Sequence, residues 1–360
     1  MRAAAFTLRT CAVVTAFFLA ACGGGSGVGP PANQSAPNGT AGAMSAAQLP
    51  STVNASFTEF YPQRFTETRT LSLSAEETAE SWQQGALTAP ATGSEDGRIA
   101  HVYPWPIQRP VPEAGVKLVL YHGGPIEKSP KFVLVLWGFG NCTSRGCTND
   151  PDGTEGFLFN FLHSVGGAHY LKSTTQYFSS AQGHITNPAG NLIAFLADNH
   201  PAPRHPSQGQ VATQAALAEA FLKQHHVVTG LNKDINYVIA LGFHHDPTGF
   251  RPGGFCAFHS AFGTLASFQP YTDFPYVTEA GAGCGAFTVD GALDGVSIVL
   301  GHEVGETITD PALNAWFDAN GEEIGDKCAN LGLNQNVLLR NGIVLPVQPL
   351  WSNAIKGCAV

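Results

Sequence analysis

The stretch LGHEVGETITDP, residues 300–311, decides how this chain is read. His302 and Glu303 open the helical pattern His-Glu-x-x-His, in which two histidines hold one zinc ion and the glutamate acts as base. Glu306 stands where the second histidine would be. Residues i and i+4 of a helix share a face, so His302 and Glu306 can still grip one ion. A carboxylate is a legitimate zinc ligand, which makes His-Glu-x-x-Glu chemically viable. Glu303 lies about 100° round the helix, from where it can take a proton from a metal-bound water. The added negative ligand would make that water less acidic, because the net positive charge of the metal falls. The competing reading is an ordinary surface helix with solvated side chains. Against it, Val299, Leu300, Val304 and Ile308 make the helix largely buried, and buried carboxylates need partners or a metal. Gly301 and Gly305 cost helix stability but admit close approach by another backbone or a substrate.

A tight zinc site takes three protein groups and a water. Asp310 is close to the same helix face but is better explained as part of the Thr309-Asp310-Pro311 stop. The stretch NAWFDANGEEIGDKC (314–328) carries a hairpin signal, with Asn320-Gly321 as a type I′ turn. In such a hairpin Glu323 and Asp326 point to opposite faces, so only one reaches the metal. Asp326 is favoured and Glu323 is second choice. His259 in CAFHS (256–260) is the leading histidine candidate, as ligand or transition-state stabiliser. His225-His226 end a helix, where they suit its dipole. His244 and His245 follow a strand and could line a cleft, whereas His163, His169, His184, His200 and His205 read as surface or packing residues. NDPDG (149–153) and Asp318–Gly321 faintly resemble calcium loops but lack the full ligand series. GFGNC (138–142) lacks the serine of a nucleophile elbow.

The N-terminus points to export. Arg2 and Arg9 precede a short apolar run, CAVVTAFFLAA (11–21), which ends in Leu19-Ala20-Ala21-Cys22. This reads as a bacterial lipoprotein signal over residues 1–21, with cleavage before Cys22 and acylation of its thiol. The alternative is an ordinary secretory signal with a chance cysteine. Both export the chain, and Gly23 favours the outer membrane if the host is Gram-negative. Residues 22–50 are a Gly/Ser/Pro/Ala-rich flexible tether. Six cysteines then remain: Cys142, Cys147, Cys256, Cys284, Cys328 and Cys358. An even number in an exported chain suggests disulfides, and sequence alone does not choose the pairing. Pairing neighbours, Cys142–Cys147, Cys256–Cys284 and Cys328–Cys358, is the working expectation. No C-x-x-C pair favours a zinc–thiolate site.

Charged residues make up 12% of the chain and the formal charge is −9, with no basic run, so nucleic acid is not an expected partner. Residues 51–115 read as an N-terminal extension or a pro-segment, with a capping-box spacing from Ser74 to Glu77. From residue 116 the pattern strengthens. KLVLYHGGP (117–125) and KFVLVLWGF (131–139) are β-rich runs joined by a Gly/Pro turn. EGFLFNFLHSVGG (155–167) and AHYLKSTTQYFSS (168–180) look helical. NLIAFLA (191–197) and INYVIALGF (235–243) are strands, and QVATQAALAEAFLKQHH (210–226) is the strongest helix. Residues 244–293 are expected to be loop-rich. A helix follows over about 294–309, capped by Asp294 and stopped by Pro311. With 41 Gly and 24 Pro, the fold class is α+β, a mixed sheet with an active-site helix, loop-rich and stapled by disulfides.

Four stretches in order carry a family resemblance: YHGGP (121–125) before the strand KFVLVLWG, FCAFHS (255–260), DGVSIVLGHEVGETITDPALNAW (294–316) and EIGDKC (323–328). Together they resemble the EXORDIUM, or phosphate-induced protein, family over about two-thirds of the chain, residues 116–358. The tail VQPLWSNAIKGC (347–358) also looks like the end of bacterial members. The resemblance implies an exported or cell-surface protein with a zincin-like core over 116–360. Many plant members lack the histidine and glutamates equivalent to 302–306 and are associated with extracellular growth control. This chain keeps them, so catalysis is the stronger expectation here. The leading expectation is a lipid-anchored zinc metallopeptidase acting on an extracellular peptide, a protein or cell-wall material. His302, Glu306 and Asp326 (or His259 or Glu323) hold the zinc, Glu303 is the base, and Tyr121, His122 and His245 are candidate cleft residues. The alternative is a non-catalytic surface protein that binds wall carbohydrate or a protein partner on the same scaffold.

Overall fold

Apolar runs with few charges make the central strands. KFVLVLW is buried at every position but its first, and INYVIAL throughout, as expected of strands covered on both faces. In the computed structural model, residues 52–60, 66–74, 102–104, 117–143, 145–250, 254–264 and 267–360 are described. The signal sequence, Cys22 and the tether lie outside them, as does the stretch after Ser74. All described residues belong to one unit, Ser35–Val360.

The main sheet has eight strands: β1 (Thr52–Phe60), β2 (Thr66–Ser74), β3 (Val102–Pro104), β4 (Lys131–Trp137), β5 (Leu192–Asp198), β6 (Ile235–Leu241), β7 (Phe255–Thr264) and β8 (Ser267–Phe274). Their order is β2-β1-β5-β4-β6-β8-β7-β3. The inner four are parallel, and an antiparallel pair flanks them on each side. The described parts of residues 51–115 thus enter the sheet at both edges. Among the described residues, three α-helices pack on it: α1 (Thr154–Val165), α2 (Gln208–Gln224) and α3 (Asp294–Thr309). The crossover β4–α1–β5 runs one way along the sheet and β5–α2–β6 the other. Right-handed crossovers therefore place α1 and α2 on opposite faces. Helix α3 packs beside α1 and across β7 and β8.

Local chemistry explains the helix starts. Ser207 and Gln210 form a reciprocal capping box at the head of α2. Asp150 accepts from the amides of Thr154 and Glu155 at the start of α1, which is the work of the NDPDG turn. All residues of α3 are buried. Gly301 and Gly305 make that possible: a Cβ on the first would meet Tyr170 Oη at 2.7 Å, and one on the second would meet Leu350 at 2.7 Å. The space they leave is filled by side chains of the protein, not by a backbone or a substrate.

Several sequence expectations need correction. Of the β-rich run after residue 117 only Leu120–Tyr121 is strand, and it pairs with Trp316–Phe317 outside the main sheet. AHYLKSTTQYFSS is a short 3-10 turn, Tyr170–Gln176. The segment 244–293 is not mainly loop, because it holds the β7–β8 hairpin, whose apolar and aromatic residues find a core surface under α3. Asp294 does not cap α3: its carboxylate accepts from the amides of Val289, Asp290 and Gly291 and organises the preceding turn. After Phe317 the chain turns at Asp318–Gly321, where Gly321 alone takes positive φ, so the turn is not type I′. No returning strand follows, only a 3-10 turn at Asp326–Cys328.

The mixed α+β class and the mixed sheet hold. So do the neighbour disulfides Cys142–Cys147, Cys256–Cys284 and Cys328–Cys358. The last two close loops of 28 and 30 residues, worth about 3–4 kcal/mol each by the chain-entropy account. Disulfides of this kind belong to an oxidising compartment. Among the described residues, no helix is long and apolar enough to cross a membrane.

Glu127 tests the packing of the sheet against α3. Its amide donates to Ile308 O, while both carboxylate oxygens are enclosed without a hydrogen-bond partner. Burial, and then the charge of Asp234, push its pKa well above the usual carboxylate range. The folded state therefore keeps a proton that the unfolded chain releases. Its stabilising contribution is full below the unfolded value of about 4.3 and is lost as pH rises toward the folded value. Glu127→Gln should raise the unfolding midpoint at pH 8, by the equivalent of about 1–3 kcal/mol, and leave it unchanged at pH 4. Thermal melts across that range check the sign.

Candidate metal centre

Three elements bring the site together. Helix α3 supplies His302, Glu303 and Glu306 from adjoining turns. Strand β7 supplies His259, and the loop after Gly321 supplies Glu323 and Asp326. His302, His259 and the three glutamates are fully enclosed, and Asp326 alone of this set has any exposed surface, 8%.

Two groups of donors converge, His302 with Glu306 and Asp326, and His259 with Glu303 and Glu306; in each, the ligand atoms lie within 4.8 Å of one another. His302 Nε2 is 3.2 Å from Glu306 Oε1 and 3.9 Å from Asp326 Oδ1. His259 Nδ1 is 3.4 Å from Glu303 Oε2 and 3.7 Å from Glu306 Oε2, and its Nε2 is 3.7 Å from Glu323 Oε2. Two ligands each about 2.0–2.1 Å from a tetrahedral ion sit roughly 3.3 Å apart. The observed spacings bracket that value, so the residues fit a divalent cation with nitrogen and oxygen ligands.

The electrostatics call for a positive group. Glu303, Glu306, Glu323 and Asp326 share the centre with Asp310, and Asp273 on β8, also enclosed, feels the charge of Glu303. Lys327, the nearest cation in sequence, is engaged by Asp318 Oδ2 at 2.9 Å and lies over the Trp351 ring. Burial raises the pKa of Glu303, with His259 opposing. Burial and then Glu306, Asp310 and Asp326 push Glu323 well up. Asp273 is pushed up by burial and then by Glu303. At His302 burial disfavours the imidazolium, but Glu306 outweighs it, with Glu303 and Asp326 adding, and the pKa is pushed up to about 10. Enclosure and neighbouring charge thus disfavour the ionised forms of Glu303, Glu323 and Asp273, and a cation among them would oppose that.

Gln348, which sequence reasoning missed, sits against this centre. Its Nε2 donates to Gly325 O at 2.7 Å and lies 3.2 Å from His302 Nδ1, while its Oε1 has no hydrogen-bond partner. A His302 that holds a metal at Nε2 presents Nδ1–H, which needs an acceptor, whereas the neutral Nε2–H tautomer accepts there from Gln348 Nε2. Turning the Gln348 amide end for end would supply one only by giving up the hydrogen bond to Gly325 O. Asp273 was missed too, although an aspartate in the apolar strand SFQPYTDF is a readable signal. Asp310 acts as expected in the helix stop, accepting from the amides of Asn314 and Ala315, and its carbonyl also faces His259 Nε2 at 3.3 Å.

Glu323 and Asp326 both reach the centre, whereas the hairpin expectation allowed only one. The chain from Glu323 to Asp326 is a loop entering a 3-10 turn and not a strand, so its side chains do not alternate between faces. The candidate cleft residues do not join either donor group. Tyr121 Oη donates to Gly124 O and lies 3.1 Å from Ser179 Oγ, with its ring against Trp316 and Phe178. His122 stacks on Phe317 at 3.6 Å. His245 sits beyond the end of β6 against Gly138, with Nδ1 2.9 Å from Pro203 O. His244 pairs with Glu279, and His225 ends α2 as expected.

No protein-family model, curated protein or solved structure matches this chain. The reading of the centre therefore rests on its own geometry.

Gly325 offers a direct test of that geometry. A Cβ there would stand 2.7 Å from His302 Nδ1 and 2.8 Å from Glu306 Oε1, so the backbone of this turn fits against the ligands only as glycine. Gly325→Ala should force the 323–328 turn outward at about 1–3 kcal/mol. It should also weaken zinc binding by at least tenfold, measured by competition with a chromophoric chelator.

Proposed function

We propose that this protein is an exported, lipid-anchored, metal-dependent hydrolase acting on peptide bonds, with zinc as its metal. The convergence of His302, Glu306 and Asp326 around one point, with Glu303 beside them, carries the reading. Bound there, zinc would polarise a carbonyl and lower the pKa of a water. This chain's own part is to hold the ion with three side chains. Glu303 Oε1, which has no hydrogen-bond partner, would take the proton from the attacking water. The motifs resembling the EXORDIUM family support a zincin-like, cell-surface protein, and Cys22 would carry the lipid, at the outer membrane of a Gram-negative host. The disulfides support export. The substrate class is an extracellular peptide, a protein or cell-wall peptide.

One observation favours a second reading. The centre is enclosed, with only Asp326 partly exposed. A metal buried in this way would also serve a non-catalytic surface protein, holding α3, β7 and the 318–328 loop together while another face binds wall carbohydrate or a protein.

The two readings separate in one set of measurements on the full chain, extracted in detergent from an oxidising compartment. Zinc should be present in the wild type and lost in Glu306→Ala, and Glu303→Gln should keep the zinc held by His302. Against a peptide library, Glu303→Gln should be slower than wild type by roughly 10²–10⁴-fold. Bound zinc without cleavage of any peptide would favour the surface-protein reading. No zinc in the wild type, even after addition, would overturn the metal site.

A further inference from the structure

We propose that the centre holds two divalent cations, the second bound by His259, Glu303 and Glu306, with Glu306 bridging the pair. The inference rests on the first cation's site at His302, Glu306 and Asp326 and extends it.

Glu306 divides its two oxygens between two sets of donors. Oε1 faces His302 Nε2 at 3.2 Å and accepts from the Asp326 amide at 2.9 Å. Oε2 points the other way, 3.7 Å from His259 Nδ1, and has no hydrogen-bond partner. A carboxylate with one oxygen in each of two ligand groups is the arrangement of a bridge, which places metal ions about 3.5–4 Å apart.

His259 has the orientation of a ligand. A metal-binding histidine donates its other ring N–H to a carbonyl or carboxylate, which fixes the tautomer. His259 Nε2 lies 3.3 Å from Asp310 O. With the proton there, Nδ1 presents a bare lone pair to Glu303 Oε2 at 3.4 Å and Glu306 Oε2 at 3.7 Å. Three lone-pair donors in an enclosed space repel one another unless a cation lies between them. His259 is also held firmly: β7 pairs with β8 on one side and β3 on the other, and the Cys256–Cys284 bond ties β7 to the segment before α3.

Charge favours two ions over one. Five buried carboxylates, those of Glu303, Glu306, Glu323, Asp326 and Asp310, lie about the two imidazoles. One dication leaves most of that charge uncompensated, whereas two offset four of the five. Nitrogen and carboxylate donors suit first-row divalent ions such as zinc or manganese. Glu303 would give Oε2 to the second ion and keep Oε1, which has no hydrogen-bond partner, for a proton.

The rival is His259 as an imidazolium, neutralising the glutamates without a second metal. Metal stoichiometry separates the two. The full chain, stripped with chelator and dialysed against zinc chloride, should bind two zinc ions in the wild type. It should bind one in His259→Gln, one in Asp326→Asn and none in Glu306→Gln. Loaded with manganese(II) instead, the wild type should give an exchange-coupled electron paramagnetic resonance signal that His259→Gln lacks. Circular dichroism checks that each variant folds, and Glu303→Gln replaces His259→Gln if the latter does not. One zinc in the wild type, with uncoupled manganese, overturns the second site and leaves the first standing. No zinc overturns both.

Discussion

Carboxylates cannot be enclosed in a protein interior as a cluster of bare charges. The residual cost of burying one ion, after relaxation, is still several kcal/mol, and the net stability of a domain is only about 5–15 kcal/mol. Here Glu303, Glu306, Glu323 and Asp310 are all fully buried around His259 and His302, and Asp273 is buried within reach of the Glu303 charge. A handful of unpaired charges would consume the whole margin. Protons can relieve them, and the raised pKa values of Glu303, Glu323, Asp310 and Asp273 are that relief written as chemistry. Metal ions relieve them better, because they keep the carboxylates ionised and use both imidazoles as ligands.

The fold reads as the support for this cluster. Helix α3 has no exposed residue and lies in a trough between α1 and the β7–β8 hairpin, so its three functional side chains have fixed directions. Two of the three disulfides secure the flanks of the centre. Cys256–Cys284 ties β7 near His259, and Cys328–Cys358 ties the loop bearing Glu323 and Asp326 to the C-terminal ribbon. Gln348 links the same loop to His302 through its contact with Gly325 O. Donors distant in sequence are thus fixed by covalent and hydrogen-bonded connections before any ion arrives, which is what tight binding requires.

Much of this was legible in the sequence wherever a local signal fixed the local structure. The i, i+4 spacing of His302 and Glu306 survives in α3, and the continuous apolar runs became the buried strands β4 and β6. The failures share a cause: they depend on partners remote in sequence. The Asn320-Gly321 pair suggested a hairpin, but Trp316–Phe317 had already paired with Leu120–Tyr121, nearly two hundred positions away in the chain. Asp294 looked like a helix cap because that is its commonest use, yet the amides of residues 289–291 claim it. Gln348 carries no motif at all, and only the folded chain brings it to His302. His259 was legible as a candidate ligand, but not its place between Glu303 and Glu306, since it reaches them through the sheet and not along the helix.

The account stands on the claim that a cation completes the core, and the unfolding midpoint of the full chain with and without metal tests it most directly. Ligand binding to the folded state alone adds about 2.7 kcal/mol at one hundred times the dissociation constant. The account predicts that zinc raises the midpoint of the chelator-stripped protein at neutral pH by several degrees or more, and that Glu306→Gln abolishes the rise. Equal midpoints in chelator and in zinc, with no metal retained, would contradict it and leave the cluster to be held by protons alone.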